Sequence, residues 1–323
     1  MSAKLVRLLD LIRGGAITNV YEGPYTSRAV TELRQKLIGS AIPIVADNVA
    51  EFVYGTGADA DRFPKDHKTK YDFVHDFPNL APPYKNFFIE WAETAPSVKW
   101  FAPLVGIHFY TWDLVKDDAA FLRMFAGARD VIAQFAAKHC FFVWGDLYFY
   151  WKDRRETLGP MMHYLIGIGP DGSPEDMTIL AAMNQGDATE AEWDLFRDWQ
   201  QYIICPLMAL SFIHCKNVRV VKAPEPEPRF EKSWRKRNGR GLIRYHTIEI
   251  EPMRKVLVHE GQAGTLGLRK ALHICRGHFK TYGPEHKLFG KVAGTFWFEP
   301  HLRGRAEEGL IVQNVEVHTP EKG

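Results

Sequence analysis

The sequence predicts an α+β fold, with a mixed helix-and-sheet body over about residues 1–221 and a smaller, basic, mainly β module over 222–323. Three observations lead there. Aromatic, β-prone runs bounded by Pro, Gly and Asp recur at 86–91, 104–112, 140–151 and 163–168. Between them lie stretches whose apolar residues repeat at helical spacing. A polar stretch at 222–240 with three prolines then separates an acidic part of the chain from a basic one.

The elements follow in order. Leu5, Leu8, Leu9 and Ile12 predict a first helix that Gly14 and Gly15 stop. A second helix is expected from Ser27 to Ile38, with Thr26 or Ser27 as N-cap and Gly39 just past its end. Residues 55–83 read as a long surface loop. The Ala- and Phe-rich segment 121–138 is expected to pack as a helix across the strands. Residues 169–174 form a turn cluster, and 189–212 a long core helix kinked at Pro206. The segment 222–240 has little apolar content and is expected to be extended or mobile. Beyond it, 242–250, 255–259 and 291–298 read as strands.

Composition narrows the function classes. The chain has 323 residues, 46% hydrophobic and 25% charged, which excludes collagen-like, coiled-coil and disordered readings. The four cysteines, Cys140, Cys205, Cys215 and Cys275, form no CxxC pair and read as reduced thiols. No apolar run reaches the ~20 residues of a membrane span. A cytoplasmic protein of a bacterial host cell is expected, with no membrane partner. The net charge of +2 hides a division: residues 216–305 hold 20 Lys and Arg against 8 Asp and Glu, so they carry +12 and the remainder −10. Clustered cations attract phosphates, so RNA or the ribosome is an expected partner. A basic face docked on the acidic body is the alternative. DNA is not an expected partner.

Signatures of the common ATP-, NAD- and triad-based enzymes are missing: no GxxxxGK[ST], GxGxxG, GxSxG or HExxH occurs. The informative stretch runs from His273 through Cys275, Arg276, Gly277, His278, Phe279, Lys280 and Tyr282 to His286, Trp297, Phe298, His301 and Arg303. It is compatible with three chemistries, beside the plain alternative that these residues fill and hydrogen-bond a small sheet. In the first, Arg276, His278, Lys280 and Arg303, with Lys232, Arg235, Lys236, Arg237 and Arg240 upstream, grip a nucleic-acid backbone while aromatic faces stack on unpaired bases. In the second, His273 and His278 act as general base and acid at a ribose 2′-OH with Arg276 stabilising the phosphorane, a metal-independent endoribonuclease. The third is zinc held by His273, Cys275, His278 and a fourth ligand such as His286; its irregular spacing argues against it, so no metal and no cofactor are expected. Asp146 and Glu90, in aromatic strands, are a candidate carboxylate pair. His139 and His163 read as satisfied core histidines.

The pattern H-x-x-R-G-H-aromatic at His273, Arg276, Gly277, His278 and Phe279 resembles the C-terminal signature of a phage-borne family, the second type V-A anti-CRISPR family. The resemblance covers about residues 195–305, with Trp297, Pro300 and Gly304 fitting downstream and a fainter echo at 80–91; Cys275 is outside the family pattern. It implies a regulator that recognises the N-terminal nascent peptide of a target protein during translation and triggers loss of that protein's mRNA. On this reading the acidic body binds the peptide and the basic module contacts RNA or the ribosome. A structural phage protein without RNA contact is a further alternative.

Overall fold

The structure, a computed structural model, describes residues 6–15, 27–54, 72–92, 104–113, 126–139, 141–151, 156–181, 189, 199–222, 227–239, 241, 244–250, 271–275, 278–288, 290–298, 301–303 and 305–310. It is α+β, as the sequence predicts. Two compact units emerge: unit 1 is Met1–His214 with Arg219–Glu249, and unit 2 is Cys215–Val218 with Ile250–Gly323. The stretch 222–249, grouped from sequence with the C-terminal module, falls in unit 1.

Unit 1 is built on a nine-stranded mixed sheet. Its strands are β1 (Ile42–Val45), β2 (Asn86–Ala92), β3 (Leu104–Asp113), β4 (Phe141–Trp151), β5 (Glu156–Leu158), β6 (Met162–Ile168), β7 (Pro174–Ala181), β8 (Val218–Lys222) and β9 (His246–Ile250). The order is β7-β6-β4-β3-β2-β1-β9-β8, with β5 added to β4. Pairing is antiparallel from β2 to β7, and β1 runs parallel to both β2 and β9. Central strands buried on both faces carry near-continuous apolar sequence. That accounts for FFIEW in β2 and FFVWGDLYFYW in β4.

One face is covered by α1 (Leu8–Gly14) and α2 (Arg28–Gly39). Ser27 caps α2, its hydroxyl accepting the Val30 N–H at 3.3 Å, which satisfies one donor left open at the helix start. Leu8, Leu9 and Ile12 of α1 and Ile38 of α2 pack with Phe88 and Tyr148 of the sheet. Farther along, α4 (Arg129–Lys138) sets Ile132 and Phe135 against Tyr110, Trp144 and Leu165. α3 (Asp47–Tyr54) follows β1. On the other face the apolar α5 (Ile204–Ile213) and the 3-10 turn Gln201–Ile203 ahead of it are buried. There Tyr202 meets Trp91 and Phe149 at ring-centroid distances of 6.2 and 5.3 Å. Pro206 sits at the third position of α5, where a missing N–H is easily tolerated; the pitch tightens ahead of it.

Two sequence expectations need correction. Within the expected loop 55–83, Asp72–Asp76 is a 3-10 turn, and Val74, Phe77 and Leu80 are buried; residues 55–71 lie outside the described residues. The supposedly extended basic segment contains a helix, α6 (Pro228–Asn238). Proline stands at its first position, and Gly239 closes it at φ 70°, the left-handed conformation glycine adopts without strain. Trp234 of α6 is buried, the anchor that a polar composition conceals.

In unit 2, β10 (Ala271–Cys275) pairs antiparallel with β13 (His301–Arg303) and parallel with β14 (Arg305–Leu310). β11 (His278–Tyr282) and β12 (Gly294–Phe298) form a separate hairpin. The expected strand at 255–259 lies outside the described residues. Among the described residues, no helix is long and apolar enough to cross a membrane.

The covered face of the sheet makes one position testable. A Cβ on Gly106 of β3 would lie 2.4 Å from the Phe88 ring and 3.1 Å from Leu8, and Phe88 is fully buried. Gly106→Ala should therefore cost about 1–3 kcal/mol by overpacking, measured as a lower midpoint in denaturant.

Candidate functional site

The polar groups of unit 1 collect on the sheet face beneath α1 and α2. Register places His108 (β3), Asp146 (β4) and His163 (β6) directly opposite one another in one row. The buried stripe of α2 is Thr31, Arg34 and Ile38, so a guanidinium stands where an apolar side chain would be usual. All of Arg34, Asp146 and His163 are at most 1% exposed.

Asp146 is the acceptor at the centre. Its Oδ1 takes the Trp144 Nε1–H at 2.7 Å, the His163 Nδ1–H at 2.6 Å and an Arg34 N–H at 3.3 Å. The Arg34 guanidinium also lies 3.3 Å from Oδ2 and 5.5 Å over the Trp144 ring. Burial pushes the Asp146 carboxyl up, but the Arg34 charge and the His163 and Trp144 hydrogen bonds more than offset it, leaving it below the ordinary range. Burial pushes His163 down despite Asp146. The pair therefore holds a carboxylate and a neutral imidazole whose Nδ1 carries the proton.

His108 belongs to a neighbouring network. Asn86 Nδ2 donates to the Leu37 carbonyl and the Ser40 hydroxyl, which leaves its Oδ1 to accept the His108 Nε2–H at 2.7 Å. Burial lowers His108 to about 4.

Glu90 stands apart from Asp146. Its row across the sheet runs through Gly106 to Tyr148, two residues along from the Asp146 row. The candidate carboxylate pair is thus not assembled, because the register sets the two carboxyls on different rows. Glu90 Oε2 accepts the Leu9 N–H at 3.1 Å, and its Oε1 has no partner among the described residues. Burial raises Glu90 to about 8. Around it, Arg7 grips Asp47 with both terminal nitrogens at 2.9 and 2.6 Å, and the Tyr245 hydroxyl donates to Asp10 at 2.7 Å.

An imidazole oriented by a carboxylate is the arrangement that prepares a general base. Here it is sealed at 0% exposure, and the carboxylate it bonds is the one that pairs with Arg34 of α2. His163 is a core histidine, held through its Nδ1 by Asp146. His139 is too: its Nδ1 lies 2.7 Å from Glu175 and its ring 4.7 Å from Phe135.

The exposed candidates lie elsewhere. On α6, Lys232, Arg235, Lys236 and Arg237 are exposed. Arg229, Lys232 and Lys236 recur at i, i+3 and i+7, forming one stripe opposite buried Trp234. Arg235 is drawn aside by Glu231 at 3.1 Å, and Arg237 donates to the Ser233 carbonyl. Sequence reading passed over Arg229, whose place on the stripe follows only once the segment is helical. Arg240 lies outside the described residues.

The signature motif divides between two sheets. His273 on β10 is opposite Arg303 on β13, and Cys275 is opposite His301. His278 opens β11 opposite Phe298. Arg276 and Gly277 lie outside the described residues. Lys280 and His286 are exposed. The described residues contain no group of three or more His, Cys, Asp or Glu placed to hold a metal.

These observations define an α+β protein with a sealed polar core and basic surface elements. Comparison with known protein families, curated proteins and solved structures finds no match.

The buried groups set opposing pH dependences. Glu90 keeps its proton when folded between pH 4.5 and about 8, a range in which the unfolded chain has lost it. Its contribution to stability is thus full below 4.5 and falls as pH rises to 8. Glu90→Gln removes that slope and should gain on wild type by a few kcal/mol, in order of magnitude, between pH 5 and 8.5. Thermal melts across that range check it. Arg34→Met, by contrast, strands a buried carboxylate and should cost about 3–5 kcal/mol at pH 7, read from urea unfolding.

Proposed function

We propose that this protein is a phage- or mobile-element-borne, anti-CRISPR-like regulator that recognises a nascent segment of a target protein and lowers its expression through translation-dependent mRNA loss. RNA or the ribosome is contacted in part by α6. The observation that carries this reading is the exposed Arg229–Lys232–Lys236 stripe on a helix anchored by Trp234. A fixed row of cations suits a phosphate backbone, because each contact releases condensed counterions. The charge division of the chain and the resemblance around His273–Phe279 support the same reading.

A second reading, a metal-independent endoribonuclease, draws support from the register that sets His273 beside Arg303. It requires both His273 and His278, so purified protein would cut naked RNA and His278→Ala would abolish the cutting. The leading reading expects RNA left intact.

The test of the leading reading is R229Q/K232Q/K236Q in the full chain. RNA association should weaken, and the slope of log affinity against log salt should fall by about two. Stability should change by less than about 0.5 kcal/mol, since these side chains are exposed. Unchanged affinity at low salt would refute the α6 contact.

A further inference from the structure

The β11–β12 hairpin of unit 2 is independent of α6 and differently made. Among the described residues 278–298, Lys280, Lys287 and Lys291 are exposed, and Glu285 is the single acidic residue. A backbone bridge joins the two ends of the turn between the latter two lysines. Leu288 is buried and its N–H donates to the Val292 carbonyl at 2.8 Å.

The strand register places an aromatic ring among these cations. Tyr282 is opposite Gly294, and Lys280 is opposite Phe296. Phe296 is buried and meets the Tyr282 ring edge-on, with centroids 5.9 Å apart, which orients that ring. Lys280 Nζ lies 4.9 Å from the ring centroid. Gly294 leaves the position across from Tyr282 empty of side chain, and the Lys216 stem fills it, its Cε 2.9 Å from where a Cβ would be. Lys216 is itself exposed, and its N–H donates to the Thr295 carbonyl at 2.8 Å. A half-exposed tyrosine therefore carries the Lys280 ammonium over its ring and stands across the hairpin from the Lys216 stem, with Lys287 and Lys291 in the connecting loop.

We infer that this hairpin is a binding site for single-stranded RNA, with Tyr282 stacking on an unpaired base and the lysines holding adjacent phosphates. An acidic peptide would use the cations and leave the ring idle, whereas a single strand uses both. A duplex offers phosphates but no free base face. The inference rests on the proposed RNA-directed function and names the form of nucleic acid and a second place where it is held.

The test uses the full chain, a fluorescein-labelled 15-nucleotide single-stranded RNA, and its duplex. K280Q/K287Q/K291Q should weaken single-strand binding up to about a hundredfold at 0.1 M salt, the effect of three lost phosphate contacts. Tyr282→Leu should weaken it about tenfold, and Tyr282→Phe should retain wild-type affinity, which separates loss of the ring from loss of the fold. Duplex RNA should bind less tightly than the single strand, and a poly-glutamate peptide should compete poorly. Wild-type affinity in the lysine variant, or displacement of the RNA by equimolar poly-glutamate, would overturn the inference. If R229Q/K232Q/K236Q alone weakens binding, the α6 reading stands and the hairpin site falls. If neither set matters, both fall.

Discussion

Asp146 is the point on which the architecture of unit 1 turns. Its Oδ1 receives donors from its own strand, from the neighbouring strand and from α2. A carboxylate with no exposure is tolerated only when its charge is matched and its lone pairs are filled. Arg34 matches the charge, and Trp144 and His163 fill the lone pairs. The requirement works in the other direction as well. Arg34 is buried only because Asp146 waits on the sheet, so the pair specifies where α2 lies and which of its faces turns inward. An apolar contact of the same size would pack as tightly but would permit more registers.

The remaining polar core follows the same logic at lower charge. Asn86 joins His108 to the C-terminal end of α2 through the Leu37 carbonyl and the Ser40 hydroxyl. Glu90 receives the first turn of α1, and Tyr245 reaches Asp10 on the same helix. α1 and α2 are thus each held by an aliphatic contact and by at least one directed hydrogen bond. The protonation states are complementary. His108 and His163 are held neutral by burial, Asp146 is held charged by its partners, and Glu90 keeps its proton near neutral pH.

Much of the fold is legible in the sequence, and the reasons are local. Aromatic and branched residues crowd β2, β3, β4 and β6 so densely that the strands announce themselves, and Ser27 marks the start of α2. The short β1, the edge strand β8 and β7 are not legible in the sequence, because four to eight residues of ordinary composition carry little signal. α6 is the instructive case. Its polar composition suggests an extended chain, yet Pro228, Gly239 and the i, i+4 pair Phe230 and Trp234 are helix signals that a composition argument overlooks. The Arg34–Asp146 pair lies beyond any sequence argument: its members are 112 residues apart, and only the strand order brings them together. Glu90 and Asp146, both conspicuous in aromatic strands, fall on different rows for the same reason.

Function divides along this line between core and surface. The conspicuous histidines and carboxylates of the sequence body lie buried in the core, where Asp146 meets Arg34 of α2 and Glu90 meets the first turn of α1. The surface includes, among the described residues, a basic stripe on α6 and a lysine-rich hairpin around Tyr282. Together with the resemblance at His273–Phe279, these support a protein that meets RNA during translation. The most direct measurement is polysome sedimentation of the tagged full chain from host cells, with sequencing of the RNA that accompanies it. The account predicts co-sedimentation that puromycin abolishes, with one message strongly enriched. Sedimentation away from ribosomes, or association that survives puromycin with no message enriched, would contradict it.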